Sequence, residues 1–121
     1  MSGYFVGDRD DRPWGSWEVL AVDEAYVIKK IIVSPGQKLS LQKHKHRREN
    51  WLCISGTGRV QLGDEIQEFK TGSTAVIEQG QQHRLECCGT GNLVLIEIQT
   101  GTVLDEDDII RLEDIYGRLS D

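Results

Sequence analysis

The chain has 121 residues, with 14 lysines and arginines against 20 aspartates and glutamates, and a formal net charge of −6. That length supports a single core, and the acidic sum argues against nucleic acid or an anionic membrane surface as a partner. No apolar run approaches the roughly 20 residues of a membrane span, and no charged-then-apolar leader opens the chain. Three cysteines (Cys53, Cys87 and Cys88) show no CxxC spacing. They read as small apolar side chains of a reduced, cytoplasmic protein, not as a disulfide framework.

In chain order, residues 17–22 and 26–33 are rich in β-branched and aromatic side chains and predict strands. Pro35 and Gly36 suit the centre of a type II turn. Further strands are expected over 38–46, 50–55, 58–62, 65–69, 73–77, 82–87 and 93–99, separated by glycine-bearing turns. Many short strands at such spacing predict an antiparallel sandwich or barrel. Only the end breaks the pattern. Asp105 as a cap, acids in the first turn, and Ile109, Leu112 and Tyr116 (or Ile115) as an apolar stripe predict a short C-terminal helix. Residues 105–121 hold seven of the 20 acids, whereas the stretch from Lys29 to Arg48 holds seven bases and no acid. The acidic total therefore does not exclude an anionic small molecule.

Residues 36–51 carry the chemistry. Read as a strand, they place Leu39, Leu41, Lys43 and Lys45 on one face and Ser40, Gln42, His44 and His46 on the other. If that second face lines a barrel, two histidines stand side by side at i and i+2, within reach of one ion. His83 is the third histidine, and Glu49 adds a carboxylate. Imidazole, carboxylate and amide together suit one divalent transition metal: zinc, manganese, iron, cobalt or nickel.

The spacing then becomes informative. Gly36, five residues, Gln42-x-His44, four residues, Glu49, six residues and Gly56 form one pattern. Gly72, five residues, Glu78-x-Gly80, two residues, His83, three residues and Cys87 form a second. Together they resemble the two signature motifs of the cupin superfamily, with Gln42 in place of the first histidine and Glu78 and Cys87 in place of the usual proline and asparagine. The resemblance implies an all-β, antiparallel double-stranded β-helix (a jelly-roll or cupin barrel). One domain is expected over residues 1–121, with a core of roughly 12–104 and an acidic tail of 105–121. More closely, the Gln42–Glu49 stretch, Arg12 to Gly15, His83 to Glu86 and Glu106 to Arg111 resemble the cupin domain of type II phosphomannose isomerases, without the guanylyltransferase half that accompanies it there.

That resemblance places the metal ligands on Gln42, His44, Glu49 and His83, and an arginine important for isomerisation on Arg47. It implies a metal-dependent isomerase interconverting mannose 6-phosphate and fructose 6-phosphate through a cis-enediol. The metal acts there as a Lewis acid and a side chain as general base. His46, by its parity, is the preferred base and Glu97 the second candidate. For the sugar phosphate, Arg47 and then Lys29 and Arg84 are the expected cationic contacts, with Ser40 on the same inner face. Trp14, Trp17 and Trp51 are expected to pack the core. The resemblance also implies a homodimer. The alternative is a cupin that binds metal and sugar phosphate without turnover, as a regulatory or sensing module, or a cupin enzyme of another reaction type.

Overall fold

A computed structural model describes residues 3–101, 104 and 108–113. Those residues form eleven strands and no helix: β1 (Arg9–Arg12), β2 (Gly15–Val22), β3 (Tyr26–Val33), β4 (Leu41–Lys43), β5 (Arg47–Ser55), β6 (Thr57–Leu62), β7 (Glu65–Lys70), β8 (Thr74–Ile77), β9 (His83–Cys87), β10 (Leu93–Gly101) and β11 (Ile110–Glu113). They make two antiparallel sheets, in the orders β1-β2-β3-β10-β5-β8 and β11-β4-β9-β6-β7. From β3 onward the chain crosses repeatedly between the sheets, so strands far apart in sequence pair. β10 lies between β3 and β5, and β9 lies between β4 and β6. This winding is the double-stranded β-helix that the sequence predicts.

Period-two burial builds the interior. On β3 the inward residues are Val27, Lys29, Ile31 and Val33; on β5 they are Arg47, Glu49, Trp51 and Cys53; on β10 they are Leu93, Leu95, Glu97 and Gln99. Register aligns these rows. Leu93 faces Val33, Leu95 faces Ile31 and Cys53, Glu97 faces Lys29 and Trp51, and Gln99 faces Glu49. The interior thus changes character along the barrel. One end is apolar, with Val33, Cys53, Val60, Phe69, Leu85, Leu93 and Leu95 buried. The other end carries buried charge. Trp14, Trp17 and Trp51 are buried as expected, and all three cysteines are free.

Two expectations are corrected. The segment read as a C-terminal helix contains β11 instead, paired antiparallel with β4 through Ile110↔Lys43 and Arg111↔Gln42. The cause is tertiary: the Asp108 carboxylate accepts the main-chain amides of Lys45 and His46, both at 2.9 Å, so a cap-type side chain is spent on another segment. Asp105, Ile115 and Tyr116 lie outside the described residues. Secondly, the strand expected over 38–46 is ordered as β4 only from 41 to 43. The sequence also hides β1, whose Arg-Asp-Asp-Arg has no apolar alternation and sits at a sheet edge, where charge is tolerated.

Gly56 ends the first motif for a backbone reason. Its φ is +96°, and a Cβ there would lie 2.5 Å from the Asn92 carbonyl oxygen. Replacing Gly56 with Ala should therefore cost about 2 kcal/mol or more, from strain and overlap together. Chemical unfolding of the variant measures this, and unchanged stability would contradict the close approach of the β5–β6 turn to β10.

Candidate metal centre

Three buried side chains converge at the polar end. His44 follows β4, Glu49 lies on β5 and His83 opens β9, and one ligand atom from each lies within 4.8 Å of the others. His44 Nε2 is 3.2 Å from Glu49 Oε2, and the two imidazole rings are 4.7 Å apart between centroids. Gln42 stands directly opposite His83 in the β4–β9 ladder. Its amide nitrogen donates to Ser40 Oγ at 3.2 Å, so the amide oxygen is the atom it could offer to an ion.

The tautomers follow from the partners. His44 Nδ1 is 2.9 Å from the Asp108 carbonyl oxygen, and His83 Nδ1 is 3.0 Å from the Gln81 carbonyl oxygen. A carbonyl only accepts, so each Nδ1 carries the proton and each Nε2 keeps its lone pair. Protonating Nε2 as well is opposed by the surroundings. Burial lowers the pKa of both rings, for His83 to about 4, and the Arg47 guanidinium beside them acts in the same direction.

Glu49 is the opposite case. Burial alone would raise its carboxyl, but the cationic forms of His44, Arg47 and His83 outweigh that and hold it well below the usual range. With both imidazoles neutral at neutral pH, Arg47 is the standing cation, its Nε donating to Glu49 Oε2 at 2.8 Å. Trp51 Nε1 donates to the other oxygen, Oε1, also at 2.8 Å. Glu97, buried and next to Glu49, is pushed up to about 8 and stays protonated at neutral pH. Gln99 donates its amide to Glu97, while Gln99 Oε1 and Trp17 Nε1 have no hydrogen-bond partner.

This donor set fits a cation. Two imidazole lone pairs and an ionised carboxylate oxygen point at one place, and a lone pair 3.2 Å from a carboxylate oxygen repels it unless positive charge lies between. Neutral imidazole with carboxylate suits zinc, manganese, iron, cobalt or nickel better than calcium or magnesium.

The centre lies in an open pocket. Among the residues expected at a site, the lining includes Gln42, His44, Glu49, His83, Arg47, Glu97, Lys29 and Ser40. Two expected residues are elsewhere. The His46 side chain is 48% exposed, with Nδ1 3.2 Å from Asp108 Oδ1, because the strand parity ends at the turn after β4. Arg84 is turned to the Leu39 carbonyl oxygen and to Glu113, at 2.9 and 2.7 Å, and does not line the pocket. Sequence reasoning overlooked Arg12 and Arg111, which join Lys29 and Arg47 in the lining. It likewise overlooked Asp108, which holds His44. Arg12 and Arg111 fall inside stretches that carried the family resemblance, which was the available signal.

An antiparallel double-stranded β-helix with a buried two-histidine, one-carboxylate cluster at its polar end defines a cupin. The cupin domain of Schizosaccharomyces pombe Cnp3 is similar in fold, with a TM-score of 0.69 at 13% identity over 71% of this chain and 64% of that one. Residues 6–114 match the family described as "Mannose-6-phosphate isomerase C-terminal", and the chain belongs to that family. Among relatives, the xanthan biosynthesis protein XanB of Xanthomonas campestris is 45% identical over 107 residues, 88% of this chain and 23% of its own length. The mannose-1-phosphate guanylyltransferase ManC of Salmonella typhimurium is 42% identical over 108 residues, 89% of this chain and 22% of its own. The chain thus spans less than a quarter of these relatives. They also correct the expected isomerase: the relatives whose names state an activity are guanylyltransferases, and isomerase enters only through the description of the family.

The lowered imidazoles give acid sensitivity a definite sign. Between pH 6.5 and about 4 the unfolded chain binds a proton that folded His83 refuses. In metal-free protein, His83's contribution is complete above pH 6.5 and falls as pH drops toward 4, by at most ~3 kcal/mol. Urea unfolding of wild type and His83→Gln at pH 7 and pH 4.5 should show the larger acid loss in the wild type. Equal losses would rule out a buried neutral imidazole at this position.

Proposed function

We propose that this chain is a metal-dependent sugar-phosphate-binding cupin serving the chemistry of mannose 1-phosphate. The observation that carries the reading is the pairing of two features in one pocket. At the floor, His44, Glu49 and His83 aim lone pairs at one position; in the walls stand Lys29, Arg47, Arg12 and Arg111. The divalent ion, once bound, would offer a Lewis-acidic contact to sugar oxygens. His44, Glu49, His83 and the Gln42 amide oxygen would hold it. The arginines supply the planar, always-charged donors that suit phosphate. Trp17 Nε1, buried in the lining without a partner, is a further donor for a ligand oxygen. Glu97, kept protonated, can donate a hydrogen bond where an ionised carboxylate would repel an anion.

The relatives support the choice of ligand. Several of them are named mannose-1-phosphate guanylyltransferases as whole proteins, and the role that fits this domain is substrate or product binding beside that activity. Calorimetry tests this with zinc or manganese and then with mannose 1-phosphate. One ion per chain is expected, and Glu49→Gln should weaken its binding by at least about tenfold. The loaded protein should bind mannose 1-phosphate and discriminate against unphosphorylated mannose. Arg111→Ala should weaken the phosphate ligand by about 10–100-fold, the loss of one charge-assisted hydrogen bond, with metal uptake intact. Absence of metal uptake, or equal binding of mannose and its phosphate, would defeat the reading.

A further inference from the structure

A single residue brought in from the far end of the described chain touches three consecutive residues at the metal centre. Asp108 is buried, its side chain 3% exposed. One carboxylate oxygen accepts the Lys45 amide and the other accepts the His46 amide, each at 2.9 Å. Its carbonyl oxygen accepts His44 Nδ1–H at 2.9 Å. His46 Nδ1 adds a contact of 3.2 Å to the carboxylate from the outside. The carboxylate forks across two adjacent amides, so residue 108 can take up neither rotation nor slip without losing one of them. Its carbonyl is therefore fixed in the place where it decides the His44 tautomer.

The rest of the segment extends this hold. Ile109 and Arg111 line the pocket, β11 pairs with β4 alongside Gln42, and Glu113 accepts from Arg84 at 2.7 Å. The strap is thus pinned at both ends, by Asp108 near the metal centre and by Glu113 away from it.

We infer that Asp108 is a positioning residue for the metal centre: it locks the turn between β4 and β5 and keeps His44 in the form that presents the Nε2 lone pair. This deepens the metal reading above and rests on it for one readout only. The histidine on the opposite strand shows the alternative design. His83 is oriented by the Gln81 carbonyl two residues away, a local device. His44 has no such local acceptor and depends on a residue 64 positions distant.

Two measurements decide the matter. In metal-free protein at pH 7.5, long-range proton–nitrogen correlation spectra report the His44 tautomer directly. Wild type should show Nδ1–H alone. Asp108→Ala should show both tautomers, and Asp108→Asn, which keeps only one acceptor for the two amides, should show a smaller shift in the same direction. Glu113→Ala, at the other pin, should leave the tautomer unchanged. Cobalt titration should show Asp108→Ala binding about 10–100-fold more weakly, with a changed visible absorption band. Circular dichroism confirms folding, and Asp108→Asn serves if the alanine variant does not fold. A folded Asp108 variant that keeps wild-type His44 Nδ1–H overturns the inference, as does an equal tautomer shift in Glu113→Ala. Wild-type protein that takes up no cobalt would instead defeat the metal reading, while the tautomer measurement still decides the role of Asp108.

Discussion

The arrangement depends on one buried carboxylate. Glu49 is 1% exposed, and an isolated charge in such a place costs several kcal/mol even after relaxation. The strand it belongs to supplies the compensation. Arg47, Glu49 and Trp51 sit at i, i+2 and i+4 of β5, so period two alone sends all three inward. Arg47 takes one oxygen and Trp51 the other, both at 2.8 Å. Neutralisation by a residue of the same strand frees the neighbouring strands from providing a cation, and this lets His44 and His83 stay neutral. Trp51 also joins the two halves of the interior. Its indole meets the His83 ring at 5.7 Å on the polar side and the Phe69 ring at 6.2 Å on the apolar side.

From that carboxylate the protonation states of its neighbours follow. Burial first, and then the ionised Glu49 beside it, keep the proton on Glu97. Lys29 faces Glu97 across the β3–β10 ladder, and its ammonium is packed 4.1 Å from the Tyr4 ring centroid and 4.3 Å from that of Trp17. Aromatic faces help carry a cation that is 2% exposed. One ionised acid, one protonated acid and two neutral imidazoles therefore stand within a few residues of each other, separated by environment and not by residue type.

What the sequence made legible was whatever a short stretch determines. The spacing from Gln42 to Glu49 spans β4, one turn and the start of β5, that from Gly80 to His83 spans a turn and the start of β9, and Gln42, His44, Glu49 and His83 do meet at the pocket. Gly56 was legible as a turn glycine for the same reason, whereas its closeness to Asn92, just before β10, is a long-range contact. What failed was extrapolation of parity through a turn. From Ser40 to His44 the alternation holds, and after His44 the chain turns and restarts at Arg47, so His46 points out. No local signal marks that break, because it is made by Asp108. The same long-range contact explains why Asp108, one of the acids that look like a helix start, belongs to a strap. Arg12 and Arg111 were missed because they reach the pocket from strands at the outer edges of the two sheets, and only the winding of the barrel brings those edges together.

The charge balance shows how acidic composition and an anion-binding reading coexist. Potential inside a pocket is set by groups within about a Debye length, roughly 8 Å at physiological salt, and by the low-dielectric walls that focus it. The lining has four basic side chains, Arg12, Lys29, Arg47 and Arg111. Of its two carboxyls only Glu49 is ionised, since Glu97 is held neutral. The lining is thus cationic although the chain is not. A divalent ion at His44, Glu49 and His83 would make it more so, and the metal and the arginines would repel each other. An anion able to contact both relieves that repulsion, whereas a neutral sugar cannot. On the proposed reading, a bound phosphate would do more than add affinity: it would make the cationic wall and the metal floor mutually compatible.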